Sequence, residues 1–264
     1  MAMKDEEDFD RGATYWWDRI FVVPSAKMVF CSIPQVDSVD WVNHLERIEK
    51  YTKKLEGKPG TTGREEGDDK PLPFVPLSTF TTEEAREVLR SFKKVIWVRD
   101  PLERILRAWK DRLQSLDHFS RQEYLSLLQE RPDLTEDRLR ELFPVPLEKF
   151  FSFLTLQPST FGFDSHWKPY RDLCSICQID YDYILYRETE KNKKQLPYEV
   201  EYVIRHALAK EDCNDLPKFT VAQPTIMNTT EMGSIPLTLL HRVMDIYKLD
   251  YALFEFEQSK DSQF

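Results

Sequence analysis

Lys93–Leu113 reads KKVIWVRDPLERILRAWKDRL, an apolar β-forming run that passes straight into a charged helical pattern. Lys93–Val98 fits a buried strand, because β-branched and aromatic residues suit a pleated, enclosed surface. Pro101 fits the first turn of a helix, where its missing N–H costs little. Arg99 therefore stands at the carboxyl end of a strand, where open α/β sheets place their ligands. Arg104, Arg107 and Lys110 follow at i, i+3 and i+6. They fit a basic wall for a phosphate, since Arg meets phosphate through two parallel N–H bonds. They also fit a solvated helix face paired with Asp100, Glu103 and Asp111, and on charge spacing alone this plainer reading is favoured.

The pattern extends outward in both directions. Lys27–Ile33, KMVFCSI, reads as a second buried strand, and Asp40–Leu55 as the helix after it, with Trp41, Leu45, Ile48 and Leu55 near helical spacing. Residues 56–72 hold four of the seven glycines and many charges, which predicts a flexible surface loop. Thr81-x-x-Glu84 is a capping box opening an amphipathic helix. Further helices are expected at Arg121–Gln129, Glu136–Phe143 and Leu147–Leu156, a third strand at Asp180–Tyr186, and a late helix over Pro236–Leu249. Strands alternating with helices predict an α/β domain with a mostly parallel sheet flanked by helices. The expected organisation is a lead-in over 1–26, one domain over 27–256 and a tail over 257–264.

Composition narrows the function. Of 264 residues, 37 are Lys or Arg and 46 are Asp or Glu, a net charge of −9. That argues against general nucleic-acid binding, which needs a broad basic face, and leaves any anionic ligand to a local cluster of cations. No apolar run approaches the roughly 18 residues of a membrane span. The acidic start, MAMKDEEDFDRG, is unlike a signal peptide, so the expected form is soluble or a piece of something longer. Cys31 lies in an apolar strand and is expected to be a buried thiol. The pair Cys174 and Cys177 fits a redox pair, two zinc ligands or half of a disulfide pattern; no second Cys/His pair completes a zinc site, and no metal is expected. Asn228 opens an N-glycosylation triplet. Motifs of serine hydrolases, zinc proteases and Walker nucleotide sites are absent from the sequence.

VIWVRDPLERILRAWKDRL resembles the 3′-phosphate-binding segment of the Golgi carbohydrate sulfotransferases, a family that includes the chondroitin and dermatan 4-O-sulfotransferases. Asp164–Thr189, DSHWKPYRDLCSICQIDYDYILYRET, is similar to a second family stretch. The capping-box helix and the ending LDYALFEFE are also similar, in the same order, so the resemblance runs from Lys27 to Phe256 outside the 56–72 loop. It implies the P-loop-like sulfotransferase fold and sulfate transfer from 3′-phosphoadenosine-5′-phosphosulfate (PAPS) to a sugar hydroxyl. It implies Arg99 as holder of the donor's 3′-phosphate, with Arg104 at a matching position and Arg107 where the family has a serine. A structural disulfide role for the cysteines of LCSIC, a glycan or glycosaminoglycan acceptor and a place in the Golgi lumen are implied too.

The same resemblance frames Phe30–Trp41, FCSIPQVDSVDW, as the loop for the 5′-phosphosulfate. Pro34, Val36, Ser38 and Trp41 fit the frame. Gln35 replaces a lysine, Asp37 a glycine, Val39 a hydroxyl residue and Asp40 an asparagine. Losing a cation that stabilises the leaving phosphate costs about 3–4 kcal/mol in the transition state. An aspartate about 4 Å from a phosphate repels it by roughly 1–4 kcal/mol. Backbone N–H groups of the following helix stay available to an anion, or Asp40 caps them. The expected donor contacts are Gln35, Val36, Asp37, Ser38 and Val39 with Arg99, Arg104 and Arg107. His166, in SHWKP, is the expected base, against the plainer role of a structural hydrogen-bonder. The alternative to an enzyme is an inactive relative that binds a glycan or partner. A third reading has another basic residue, Lys27 or Lys168, stand in for the missing lysine.

Overall fold

The computed structural model describes residues 14–36, 38–55, 74–114, 144–157, 159–160, 163–187, 195–209, 215–220 and 229–256. The expected helices at Arg121–Gln129 and Glu136–Phe143, the 56–72 loop, Asn228 and the tail lie outside them. The chain divides into two compact units: Met1–Arg99 with Leu173–Pro224, and Asp100–Asp172 with Thr225–Phe264. The span read from sequence as one domain is thus shared between two units.

The first unit carries a five-stranded sheet in the order β3-β1-β2-β4-β5, with β1 Ile20–Val23, β2 Met28–Cys31, β3 Val75–Pro76, β4 Lys93–Val98 and β5 Tyr183–Tyr186. β2 runs parallel to β4 and β4 to β5, while β1 is antiparallel to β2 and β3 antiparallel to β1. The sheet is mixed rather than mostly parallel, because β1 and β2 form a hairpin. Its turn closes through Pro24–Ala26 and Lys27, the latter left-handed at φ 48°. The expected lead-in therefore supplies a strand of the sheet.

All four residues of β2 are buried. Helix α1, Ser38–Leu55, follows it and packs on the sheet through Trp41, whose ring lies 6.1 Å from Phe30 and 5.2 Å from Trp97. Trp41, His44, Leu45 and Ile48 are buried at helical spacing, whereas Leu55 is half exposed at the last turn. Helix α2, Thr82–Ser91, opens with the expected capping box: Glu84 N–H donates to Thr81 Oγ1 at 3.3 Å, and Thr81 N–H to Glu84 Oε2 at 2.9 Å.

A disulfide joins Cys31, at the end of β2, to Cys174. Cys31 is not the buried thiol expected, and Cys174 does not pair within LCSIC; Cys177 is exposed and free. The half-cystines are 143 residues apart, so spacing held no sign of the connectivity. Among the described residues no group of three or more metal-ligating side chains is placed to hold an ion. No helix among them is long and apolar enough to cross a membrane.

The second unit is helical in its described residues. Helix α3, Pro101–Arg112, is capped by Asp100, which accepts from Glu103 N–H at 3.0 Å. Helix α4 spans Leu147–Leu156 as expected. Helix α5, Leu196–Leu208, belongs to the first unit and was not read from sequence. The late helix is broken at Tyr247 into α6, Leu237–Ile246, and α7, Lys248–Leu253. Ile105, Ala108 and Trp109 of α3, Phe150, Phe151 and Leu154 of α4, and Leu240 and Val243 of α6 form one core with Trp167, Tyr247 and Tyr251.

Candidate active site

The parallel strands β2, β4 and β5 end on one edge of the sheet, and a different segment leaves from each. From β2 the chain runs through Pro34–Val36 into α1. From β4 it emerges at Arg99, and from β5 at Arg187. Val98 faces Tyr186 in the ladder, and Arg187 N–H extends it by donating to Val98 carbonyl oxygen at 2.7 Å. Arg99 and Arg187 are therefore neighbours at adjoining strand ends. Both are buried, 3% and 5% exposed.

Arg187 also reaches α1. Its Nη2 donates to Asp40 Oδ2 at 3.2 Å, and Asp40 sits in the helix's first turn. Asp40 is thus inside the helix as an ion-pair partner, not its N-cap. The first N–H groups of an α-helix have no partner within it and favour an anion. Beside them Arg187 places its guanidinium, with one arm on Asp40.

Gln35, half-buried, adopts φ 68°. At this left-handed φ a side chain with a Cβ bears about 1–2 kcal/mol of strain. Val36 is buried. Asp37 lies outside the described residues, and Ser38 and Val39 are described in backbone only, as the first two residues of α1. Lys27 lies in the hairpin turn before β2, at the end of the strand away from Pro34–Val36. It is at the wrong edge to replace the missing lysine.

The cations of α3 do not form a wall. Arg104 is fully buried, and its guanidinium donates through Nη1 to Lys168 carbonyl oxygen at 2.7 Å and through Nη2 to Ser165 carbonyl oxygen at 2.8 Å. Its Cζ lies 4.8 Å from the Tyr170 ring centroid. Arg107 is half-buried and donates to Glu103 Oε1 at 3.2 Å, while Lys110 is exposed. The internally paired helix face, the plainer of the two sequence readings, describes Arg107.

Arg104 clamps the turn that presents His166. Asp164 carbonyl oxygen accepts from Trp167 and Lys168 N–H at 3.1 and 2.9 Å. Trp167 carbonyl oxygen accepts from the Tyr247 hydroxyl, which burial holds well above its ordinary pKa and so keeps protonated. Asp164 Oδ1 accepts from His166 N–H at 2.8 Å and lies 2.5 Å from His166 Nδ1. Burial pushes the Asp164 carboxyl up, but the bonds from His166 and the charge of Arg112 outweigh it and hold the group below its usual range. Nearby, Asp250 accepts from Tyr170 and Arg171 N–H at 2.8 and 3.3 Å. Burial lifts its carboxyl to about 6 against the pull of those bonds and of Arg104 and Arg171.

A model of the sulfotransferase family matches residues 18–257. The chain belongs to the sulfotransferase family. It is 28% identical over 252 residues to carbohydrate sulfotransferase 10 of Homo sapiens, covering 90% of this chain and 65% of that protein. To carbohydrate sulfotransferase 14 of Danio rerio it is 22% identical over 240 residues, covering 90% and 62%. To carbohydrate sulfotransferase 10 of Xenopus laevis it is 29% identical over 200 residues, covering 72% and 53%. The chain thus spans between about half and two thirds of the length of these relatives. No solved structure matches it.

The sequence reading named Arg99 and His166 as site candidates and did not name Arg187 or Asp164, which the structure places beside them in the chain's two units respectively. Arg187 carries the same signal as Arg99, an arginine directly after a β-forming run. Asp164 stands two residues before His166, a spacing at which an aspartate side chain closes a turn on its own backbone.

Proposed function

We propose that the chain is a carbohydrate O-sulfotransferase, moving the sulfuryl group of PAPS to a hydroxyl of a glycan or glycosaminoglycan. The observation that carries this reading is the pair of buried arginines, Arg99 and Arg187, at adjoining strand ends beside the first turn of α1. Such an edge suits a ligand with phosphates at both ends, as the 3′-phosphate and 5′-phosphosulfate of PAPS are. Arg99 meets the 3′-phosphate. The backbone of Gln35–Val39 and the first N–H groups of α1 meet the phosphosulfate. Arg187, tied to that same turn through Asp40, supplies the positive charge that Gln35 lacks. Arg104, spent on two carbonyls, is left out of the donor site, and Arg107 is a minor contributor while it is paired with Glu103. His166 takes the proton of the acceptor hydroxyl. No metal enters this reading.

The disulfide between Cys31 and Cys174 supports residence in an oxidising compartment, in keeping with the Golgi lumen. Incubation with PAPS and a panel of desulfated glycosaminoglycans tests the proposal. It predicts sulfated product and 3′-phosphoadenosine-5′-phosphate in equal amounts, both lost in Arg99→Ala. Gln35 itself favours a second reading, in which the fold binds nucleotide or glycan without transfer. Nucleotide binding without product from any acceptor would select it.

A further inference from the structure

The turn 164–168 holds one histidine in one orientation, by bonds whose donors and acceptors are fixed by chemistry. Asp164 is a carboxylate held in its ionised form, and an ionised carboxylate only accepts. Its partner 2.5 Å away, His166 Nδ1, must therefore carry the proton. In a neutral imidazole that leaves Nε2 with the lone pair. The ring is 23% exposed, so it remains open to solvent.

The rest of the turn is committed as well. The carbonyl oxygens of Asp164, Ser165, Trp167 and Lys168 all have donors, two of them from Arg104. A surface histidine needs no such arrangement; a histidine whose Nε2 must sit at one place does.

We propose that Asp164 is a positioning residue for the transfer reaction: it fixes His166 as the Nδ1–H tautomer so that Nε2 acts as base toward the acceptor hydroxyl, while Arg104 holds the turn that carries both. This rests on the sulfotransferase reading above. In the step, the acceptor oxygen forms its bond to sulfur as the bond from sulfur to the bridging phosphate oxygen breaks. The hydroxyl proton passes to His166 Nε2, and the nucleotide leaves with the electron pair. The imidazolium that results keeps its Nδ1–H on the Asp164 carboxylate, which stabilises the new charge. Among the described residues, the other charged groups at the turn are Arg112, which acts on Asp164, and Arg104 and Lys168, both buried.

The test is Asp164→Asn in the full chain, with two readouts. Nitrogen-15 spectra of labelled histidine, taken at neutral pH, report the tautomer without donor or acceptor. The parent shows His166 as Nδ1–H; in the variant the Nε2–H form gains population. In turnover, kcat falls by about 10²–10⁴-fold with KM for the glycan within about threefold. Asp164→Ala serves if the asparagine variant fails to fold. An Nε2–H tautomer in the parent, or kcat kept in the variant, overturns the proposal. If the parent turns over no acceptor, the transferase reading falls, and the spectra alone decide whether Asp164 sets the ring.

Discussion

Arg104 and Lys168 are joined by a 2.7 Å hydrogen bond from a fully buried guanidinium to a backbone carbonyl, with Ser165 held at 2.8 Å by the other arm. A planar fork with fixed donors suits two carbonyls on one turn, and a lysine cannot reproduce it. Arg104→Ala leaves both carbonyls without that donor, which is expected to cost about 1–3 kcal/mol of stability for each. Arg104→Lys is expected to be intermediate. Denaturant unfolding measures both. If Arg104 belongs to the turn and not to the donor site, the folded Arg104→Lys protein keeps the parent's affinity for 3′-phosphoadenosine-5′-phosphate within about threefold.

Arg187 and Gln35 make a linked prediction. Where a loop cation is missing and another supplies its charge, restoring the first adds little. Gln35→Lys is therefore expected to raise kcat by less than about tenfold. Removing Arg187 together with its partner, as Arg187→Gln with Asp40→Asn, avoids stranding a half-buried carboxylate. This double variant is expected to lose about 10²–10³-fold in kcat/KM for PAPS. Steady-state kinetics against the parent reads both values.

His44 gives the fold an acid-sensitive element. Fully buried among Trp41 and Phe219, it makes no hydrogen bond through either ring nitrogen among the described residues, and burial, with the charge of Arg47, lowers its pKa to about 4. Below about 6.5 the unfolded chain takes up a proton that the folded chain refuses until about 4. Stability therefore falls as pH drops through that window, by about 3 kcal/mol. Asp250, raised to about 6, works in the opposite direction, since the folded state holds its proton first. The readout is thus the difference between parent and His44→Phe: unfolding midpoints followed from pH 7 to pH 4 should diverge, the variant losing less.

The disulfide between Cys31 and Cys174 closes a loop of 143 residues, and the chain-entropy estimate for such a loop is about 5 kcal/mol. Cys31→Ser and Cys174→Ser should each lose about 2–5 kcal/mol, and the double variant no more than either single. Thermal unfolding with and without reductant checks this, because reductant should leave the variants unchanged.

How much was legible in the sequence follows from how local each signal is. β4, α2 and α4 were read with their boundaries, because an apolar run, a capping box and a helical period lie within a few residues. β1 and β3 were missed because four residues and two residues, the latter including Pro76, carry no periodicity; only pairing with β2 and β1 makes them strands. Arg99 was placed correctly at a strand end, since the strand itself was readable. That Arg104 turns inward was not legible, because its spacing from Arg107 says nothing of which face is buried; what decides it is the pair of carbonyls 61 and 64 residues away in sequence. Cys31 was misread for the same reason, at a separation of 143.

The most direct test of the account is calorimetric titration of the purified chain with 3′-phosphoadenosine-5′-phosphate, run beside Arg99→Ala. The account predicts binding in the micromolar range for the parent and loss of that binding in the variant. Absence of binding by the parent at millimolar nucleotide would contradict it.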